Sequence, residues 1–281
     1  MVLGTAQFGM DYGIANITGK PTKQQVYEIL ELAWDMGVRR YDTAPSYESE
    51  DLLGEFISHH GIESDIILLT KLSGLRDKND YKSMIKSSIE SSLNKLGCRI
   101  EVLFFHDPKD SILLIDDYSY FKKLLNDYPI STLGISVYEP HEIKKHVVQG
   151  LELAFQFPFN VLDRRFEQIA MPLGKRYARS IFLQGLLASI NSLKLNSIKE
   201  LVKIHVNYHN ALDKYDFEPI GFAISYVVQS EVVDYFLVGV DSKEQLQNIL
   251  ELELYMQDDI SMLDALSVNT DEHWLDPRNW S

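Results

Sequence analysis

Val38-Arg39-Arg40-Tyr41-Asp42-Thr43-Ala44-Pro45-Ser46-Tyr47 begins as a strand-like run that breaks before Pro45, with ionisable side chains around its exit. Residues 38–43 read as a strand, and the segment 48–60 that follows has helical spacing. The unit recurs along the chain. Strand-like runs fall at 2–6, 38–43, 66–70, 102–105, 132–136, 152–157, 180–183 and 235–238. Helices are predicted at about 22–36, 48–60, 80–97, 117–128, 139–149, 163–178, 217–230 and 242–254. Strands alternating with helices signal a parallel sheet joined by crossovers, and eight such units close a barrel. The predicted fold class is therefore α/β, a (β/α)8 TIM barrel, with residues 1–281 as one domain. An open doubly wound sheet would announce a G-x-G-x-x-G turn after its first strand, and Gly4-Thr5-Ala6-Gln7-Phe8-Gly9 does not match it.

Local signals agree with this division. Thr22 is placed to cap the first helix and Asp80 the third, and Ser242 with Gln245 fits a capping box at the last. Residues 193–214 read as an extra helix between the seventh strand and its own helix, and the tail 259–281 carries two tryptophans, Trp274 and Trp280. The chain has 281 residues, 45% hydrophobic and 24% charged, which suits one large globular unit. A net charge of −14 argues against nucleic acid or an anionic membrane as partner. The single Cys98, the start Met1-Val2-Leu3-Gly4 and the lack of a long apolar run lead to the expectation of a cytoplasmic protein.

In a barrel of this kind, reactive groups sit at the carboxyl ends of the strands. The second strand delivers Asp42 and Tyr47 there, the third Lys71, and the fourth His106 before Asp107-Pro108. Taken singly, Lys71 reads as a solvated strand-end charge, His106 as a turn residue, Asp42 as a turn cap and Tyr47 as a surface aromatic. Three consecutive strands bringing ionisable groups to one rim is a different matter. The set, Asp with Tyr five residues on, then Lys, then His, resembles the catalytic tetrad of the aldo-keto reductases. The resemblance continues in Leu3-Gly4-Thr5, Gly134-Ile135-Ser136, Gln156-Phe157-Pro158-Phe159-Asn160, Gln184-Gly185-Leu186-Leu187 and Val238-Gly239.

What the resemblance implies is an NAD(P)H-dependent oxidoreductase that reduces an aldehyde, ketone or keto-sugar to an alcohol, or runs the reverse. Tyr47 would be the general acid/base, Lys71 would lower its pKa, Asp42 would fix Lys71, and His106 would orient the carbonyl oxygen. The resemblance also assigns a cofactor site to Gly4, Thr5, Asp42, Ser136, Gln156, Arg179, Gly239, Ser242, Lys243 and Gln245. Two departures stand out. Val137 replaces the Asn that the family pairs with the Ser after strand five, and Arg179 stands where an aromatic ring stacks on the nicotinamide. The Lys and Arg that often grip a 2′-phosphate correspond to Gly239 and Gln245, which leaves Lys243 as the only cation nearby. NADP(H) is expected first and NAD(H) as the alternative, with weak discrimination between them. Phe8, Tyr12, Tyr138 and Phe159 are candidates for an apolar substrate wall.

No Cys/His cluster has metal-ligand spacing, and His205 with His209 lacks the Glu of H-E-x-x-H, so no metal is expected. The partner implied is a small-molecule carbonyl, and the assembly a monomer or small homo-oligomer. Two other functions fit the same fold: a non-catalytic nucleotide-binding regulatory protein, and a hydrolase using Asp42 and Asp107 as paired carboxylates.

Overall fold

Eight short parallel strands pair in chain order and close on themselves. They are β1 (Val2–Gly4), β2 (Arg40–Asp42), β3 (Ile67–Leu72), β4 (Ile100–Phe105), β5 (Ile130–Ser136), β6 (Ala154–Pro158), β7 (Arg176–Arg179) and β8 (Tyr235–Gly239). The last strand pairs with the first, with Gly4 opposite Gly239, so no sheet edge is left open. This computed structural model describes residues 1–281 except 14–15, 17–18, 73, 76–79, 146–151, 170–172, 189–197, 262–269 and 281.

The period of two along each strand sorts the side chains into two cores. Leu3, Tyr41, Leu68 and Leu103 face outward into a large cluster shared with the helices. Val2, Leu69, Val102, Phe104, Ala154 and Tyr177 form a separate cluster that fills the barrel. Phe104 takes its space from Gly134 on the neighbouring strand, where an added Cβ would lie 2.5 Å from the ring. Two residues further along the inward rows come Asp42 on β2, Lys71 on β3, Gln156 on β6 and Arg179 on β7. The sequence thus puts apolar groups low in the barrel and polar ones at its carboxyl rim.

The helices begin where the caps predict. Thr22 and Gln25 complete a capping box on the helix Lys23–Asp35, and Asp80 accepts from the Ser83 N–H ahead of Tyr81–Leu96. Ser242 accepts from the Gln245 N–H, but the Gln245 side chain returns one residue further back, to the N–H of Asp241. The extra helix is present as Lys199–Asp213, while the start of its predicted range lies outside the described residues, as does 146–149 of the helix predicted at 139–149.

The seventh repeat differs from its reading. The strand is Arg176–Arg179, not 180–183, and the helix predicted at 163–178 is replaced by a single 3-10 turn, Arg165–Gln168, among the described residues. Arg-Tyr-Ala-Arg hides its strand period behind charged ends: Tyr177 points into the barrel and Arg179 to the rim. The apolar run 180–183 instead makes a tight turn. Ser180, Leu183 and Gln184 adopt positive φ there, and Ile181, Leu183, Leu186 and Leu187 are buried.

Candidate active site

The strand ends β2, β3 and β6 converge on one ion pair. Lys71, 1% exposed, donates through Nζ to Asp42 Oδ1 and, at 3.1 Å, to the Thr43 carbonyl. Gln156 Nε2 donates to the other oxygen, Asp42 Oδ2, at 2.8 Å. A buried carboxylate and a buried ammonium are thereby matched in charge and in hydrogen bonds, the condition under which such groups persist in an interior.

Tyr47 is carried to this pair by the 3-10 turn Pro45–Tyr47, which Pro45 starts and Glu48 ends at φ 58°. Ser49 locks the turn from below, its Oγ lying 2.8 Å from the Thr5 hydroxyl and 3.1 Å from that of Thr43. Gly9 packs directly against it, and a Cβ there would fall 1.6 Å from the Tyr47 carbonyl oxygen. The Tyr47 ring lies 4.8 Å from Lys71 Nζ and meets the His106 ring edge-on at 6.0 Å. All four residues of the sequence-derived set therefore stand together.

Their electrostatics divide the roles. Burial pushes the Tyr47 phenol above the usual tyrosine range, and the Lys71 charge is the strongest influence pulling it back. Burial also opposes the Lys71 ammonium, but Asp42 and Tyr47 outweigh it and hold its pKa above the usual lysine value. His106 is lowered to about 4 by burial and by the charges of Lys71 and Arg179. At neutral pH this constellation offers a phenol beside a cation, and a neutral imidazole able to donate one hydrogen bond.

A cleft of about 510 Å³ runs from Asp42 and Tyr47 past Gly4 and Gly239 to Asn248 and Ile249. Of the residues expected at a cofactor, Gly4, Asp42, Gln156, Arg179, Gly239 and Gln245 line it. Thr5, Ser136, Ser242 and Lys243 are not among its lining residues. Thr5 is fully buried, with its hydroxyl on the Asp42 carbonyl at 3.1 Å; Ser136 is buried at the end of β5, Ser242 caps its helix, and Lys243 is exposed. Gln156 spends its amide on Asp42. Arg179 spans the strand ends, donating to the Val137 carbonyl at 3.1 Å, with its guanidinium 4.2 Å from the centre of the Tyr138 ring. Arg278 from the tail covers the same ring at 3.4 Å.

Of the expected aromatic wall, Tyr12 lines the cleft, whereas Phe8 and Phe159 are buried in the outer core. Other lining residues carried no sequence signal of their own. Gln7 lies over Gly239, where an added Cβ would sit 2.3 Å from its Nε2; Asn16 and Asn248 are polar loop or helix residues with no motif around them, whereas Gln184 opens the Gln184-Gly185-Leu186-Leu187 stretch without having been expected at the cleft. The glycine at 239, beside a polar residue in the short helical turn after β1, is the one clue that could have pointed to Gln7.

Residues 1–268 match the model of the Aldo/keto reductase family. The chain belongs to that family. As an aldo/keto reductase it is 26% identical over 170 residues to the aldo-keto reductase YhdN of Bacillus subtilis, a stretch covering 57% of this chain and 51% of that protein. It is 25% identical over 232 residues to the uncharacterized oxidoreductase YqkF of the same organism, covering 78% of this chain and 73% of that one. The first alignment thus spans about half the length of its relative. The barrel itself is shared with an aldo-keto reductase from Bacillus halodurans in its holo form, at a TM-score of 0.74 and 19% identity over 98% of this chain and 95% of that one. Among the described residues of this aldo/keto reductase, no helix is long and apolar enough to cross a membrane.

Proposed function

We propose that this aldo/keto reductase reduces an aldehyde, ketone or keto-sugar to an alcohol, or catalyses the reverse, with Tyr47 as the proton donor and acceptor. The observation that carries the reading is the convergence of Tyr47, Lys71, Asp42 and His106 at one end of a cleft of about 510 Å³. Gly4, Gln156, Arg179, Gly239 and Gln245 would hold a nicotinamide cofactor, together with Gln7, whose side chain fills the space over Gly239. When bound, the cofactor supplies or accepts the hydride.

The protein's own part is the proton. Reduction leaves negative charge on the substrate oxygen, and that oxygen needs a proton as the charge develops. Tyr47 carries it at its phenolic oxygen. Lys71, in contact with the phenol, favours the phenolate that remains and offsets part of the cost of burying it. Asp42 and Gln156 keep Lys71 in place. His106, neutral across the physiological range, orients the substrate oxygen with a hydrogen bond rather than competing as an acid.

Replacement of Tyr47 by Phe tests this directly. Turnover is expected to fall at least ~10²-fold, the lower range for a general acid, while dinucleotide affinity, read by fluorescence, stays within a few-fold. A hydride step of near wild-type speed in the variant removes Tyr47 from the role.

A further inference from the structure

The far end of the cleft is built differently from what a 2′-phosphate requires. Beyond Gly239 its lining is Val240, Asp241, Gln245, Asn248 and Ile249, faced by Asn16 from the loop after β1. Among the described residues lining this stretch, Asp241 alone carries a formal charge. Its Oδ1 accepts from Asn16 Nδ2 at 3.2 Å, which holds the carboxylate at the wall. Burial lifts its pKa to about 6, so it is ionised at neutral pH. Lys243, the nearest cation in sequence, is exposed and lies outside the lining.

The backbone here is committed as well. A phosphate at a helix start takes the free N–H groups of the first turn. At Lys243–Leu250 the Asp241 N–H donates to Gln245 Oε1 at 2.8 Å, and the Gln245 N–H donates to Ser242 Oγ at 3.2 Å. The Gln245 N–H of the first turn and the Asp241 N–H just ahead of it are thereby satisfied within the turn itself.

We infer that Asp241 selects NAD(H) over NADP(H), its carboxylate accepting a hydrogen from the 2′-hydroxyl of the adenosine ribose and excluding a 2′-phosphate. The inference rests on the reading of the cleft as a dinucleotide site and adds its specificity. A ribose hydroxyl is a donor that satisfies a carboxylate, and an acidic residue performs this task in doubly wound dinucleotide folds. A 2′-phosphate brings about −1.5 to −2 charges and only acceptor oxygens at neutral pH. Set beside Asp241 it gains no hydrogen bond and meets a like charge.

The test is a titration of the full chain with NADH and NADPH in one buffer at neutral pH, followed by quenching of tryptophan fluorescence, which needs no substrate and no turnover. NADH is expected to bind at least ~10-fold more tightly. Asp241→Asn, which keeps the shape, and Asp241→Ser, which removes the carboxylate, should each raise NADPH affinity at least ~10-fold relative to NADH. Wild-type protein that binds NADPH as tightly as NADH or more so, or a ratio unmoved in both variants, overturns the inference and leaves the dinucleotide reading standing. Folded protein that binds neither molecule overturns both.

Discussion

Replacing Lys71 by Met separates the structural and chemical duties of one side chain. Lys71 is 1% exposed, and its ammonium is the cationic partner of Asp42, which is 3% exposed. Removing one member of a buried ion pair costs about 3–5 kcal/mol, because the other charge stays behind without compensation. At about 2–4 °C per kcal/mol for a domain approaching this size, the expected fall in melting temperature is about 6–20 °C. Turnover should fall at least ~10²-fold in addition, since Tyr47 loses the strongest influence that opposes its burial. The double variant Lys71→Met with Asp42→Asn divides the two effects. An asparagine oxygen still accepts from Gln156 without leaving a stranded charge, so much of the melting temperature should return while turnover does not. Calorimetry and steady-state rates on the three proteins decide it. A single variant that melts within about 1 °C of wild type would refute the stability argument, and a double variant that regains turnover would refute the electrostatic one.

His106 titrates near 4 in the fold against an ordinary 6.5, so between those values the unfolded chain binds more protons than the native one. Stability should therefore rise with pH through that window and be lost as pH falls through it; melting curves of His106→Gln should show a flatter slope there, and an unchanged slope would clear His106 of the effect. Gly9→Ala puts a methyl group against the Tyr47 carbonyl and should lower stability by about 1–3 kcal/mol. Its displacement of Tyr47 should also reduce turnover as much as ~10²-fold; normal kinetics in Gly9→Ala would show that the turn carrying Tyr47 yields without consequence.

Much of this molecule can be read before folding because its barrel writes strand, exit and helix in repeating order. Asp42, Tyr47, Lys71 and His106 were legible for the same reason: each lies within a few residues of a strand end, and strand ends are easy to find. The seventh repeat was not, because Arg176 and Arg179 bracket a four-residue strand with charges, while the apolar residues after it pack in a turn at backbone angles that sequence seldom announces. The cleft was half legible. Gly4, Gln156, Arg179 and Gly239 project from strands and reached it as expected. Ser136 ends β5 and Thr5 directly follows β1, yet Thr5 turned to bonds holding β1, β2 and the Tyr47 turn together. Gln7 sits in the short helical turn Ala6–Gly9 and Asn16 on the loop after it, segments whose path no local pattern specifies, so only the folded chain brings them to β8.

The filled lower half of the barrel has a kinetic meaning. Leu69, Val102, Phe104 and Tyr177 stop the interior with packed apolar groups, so Tyr47 and Lys71 sit at the closed end of a blind alley. Under the proposed function, a substrate would reach Tyr47 from the carboxyl ends of the strands, on the side of the cleft. A molecule lodged along the cleft would then also cover the Tyr47 phenol, and exchange of its proton with bulk water would wait on that molecule's departure.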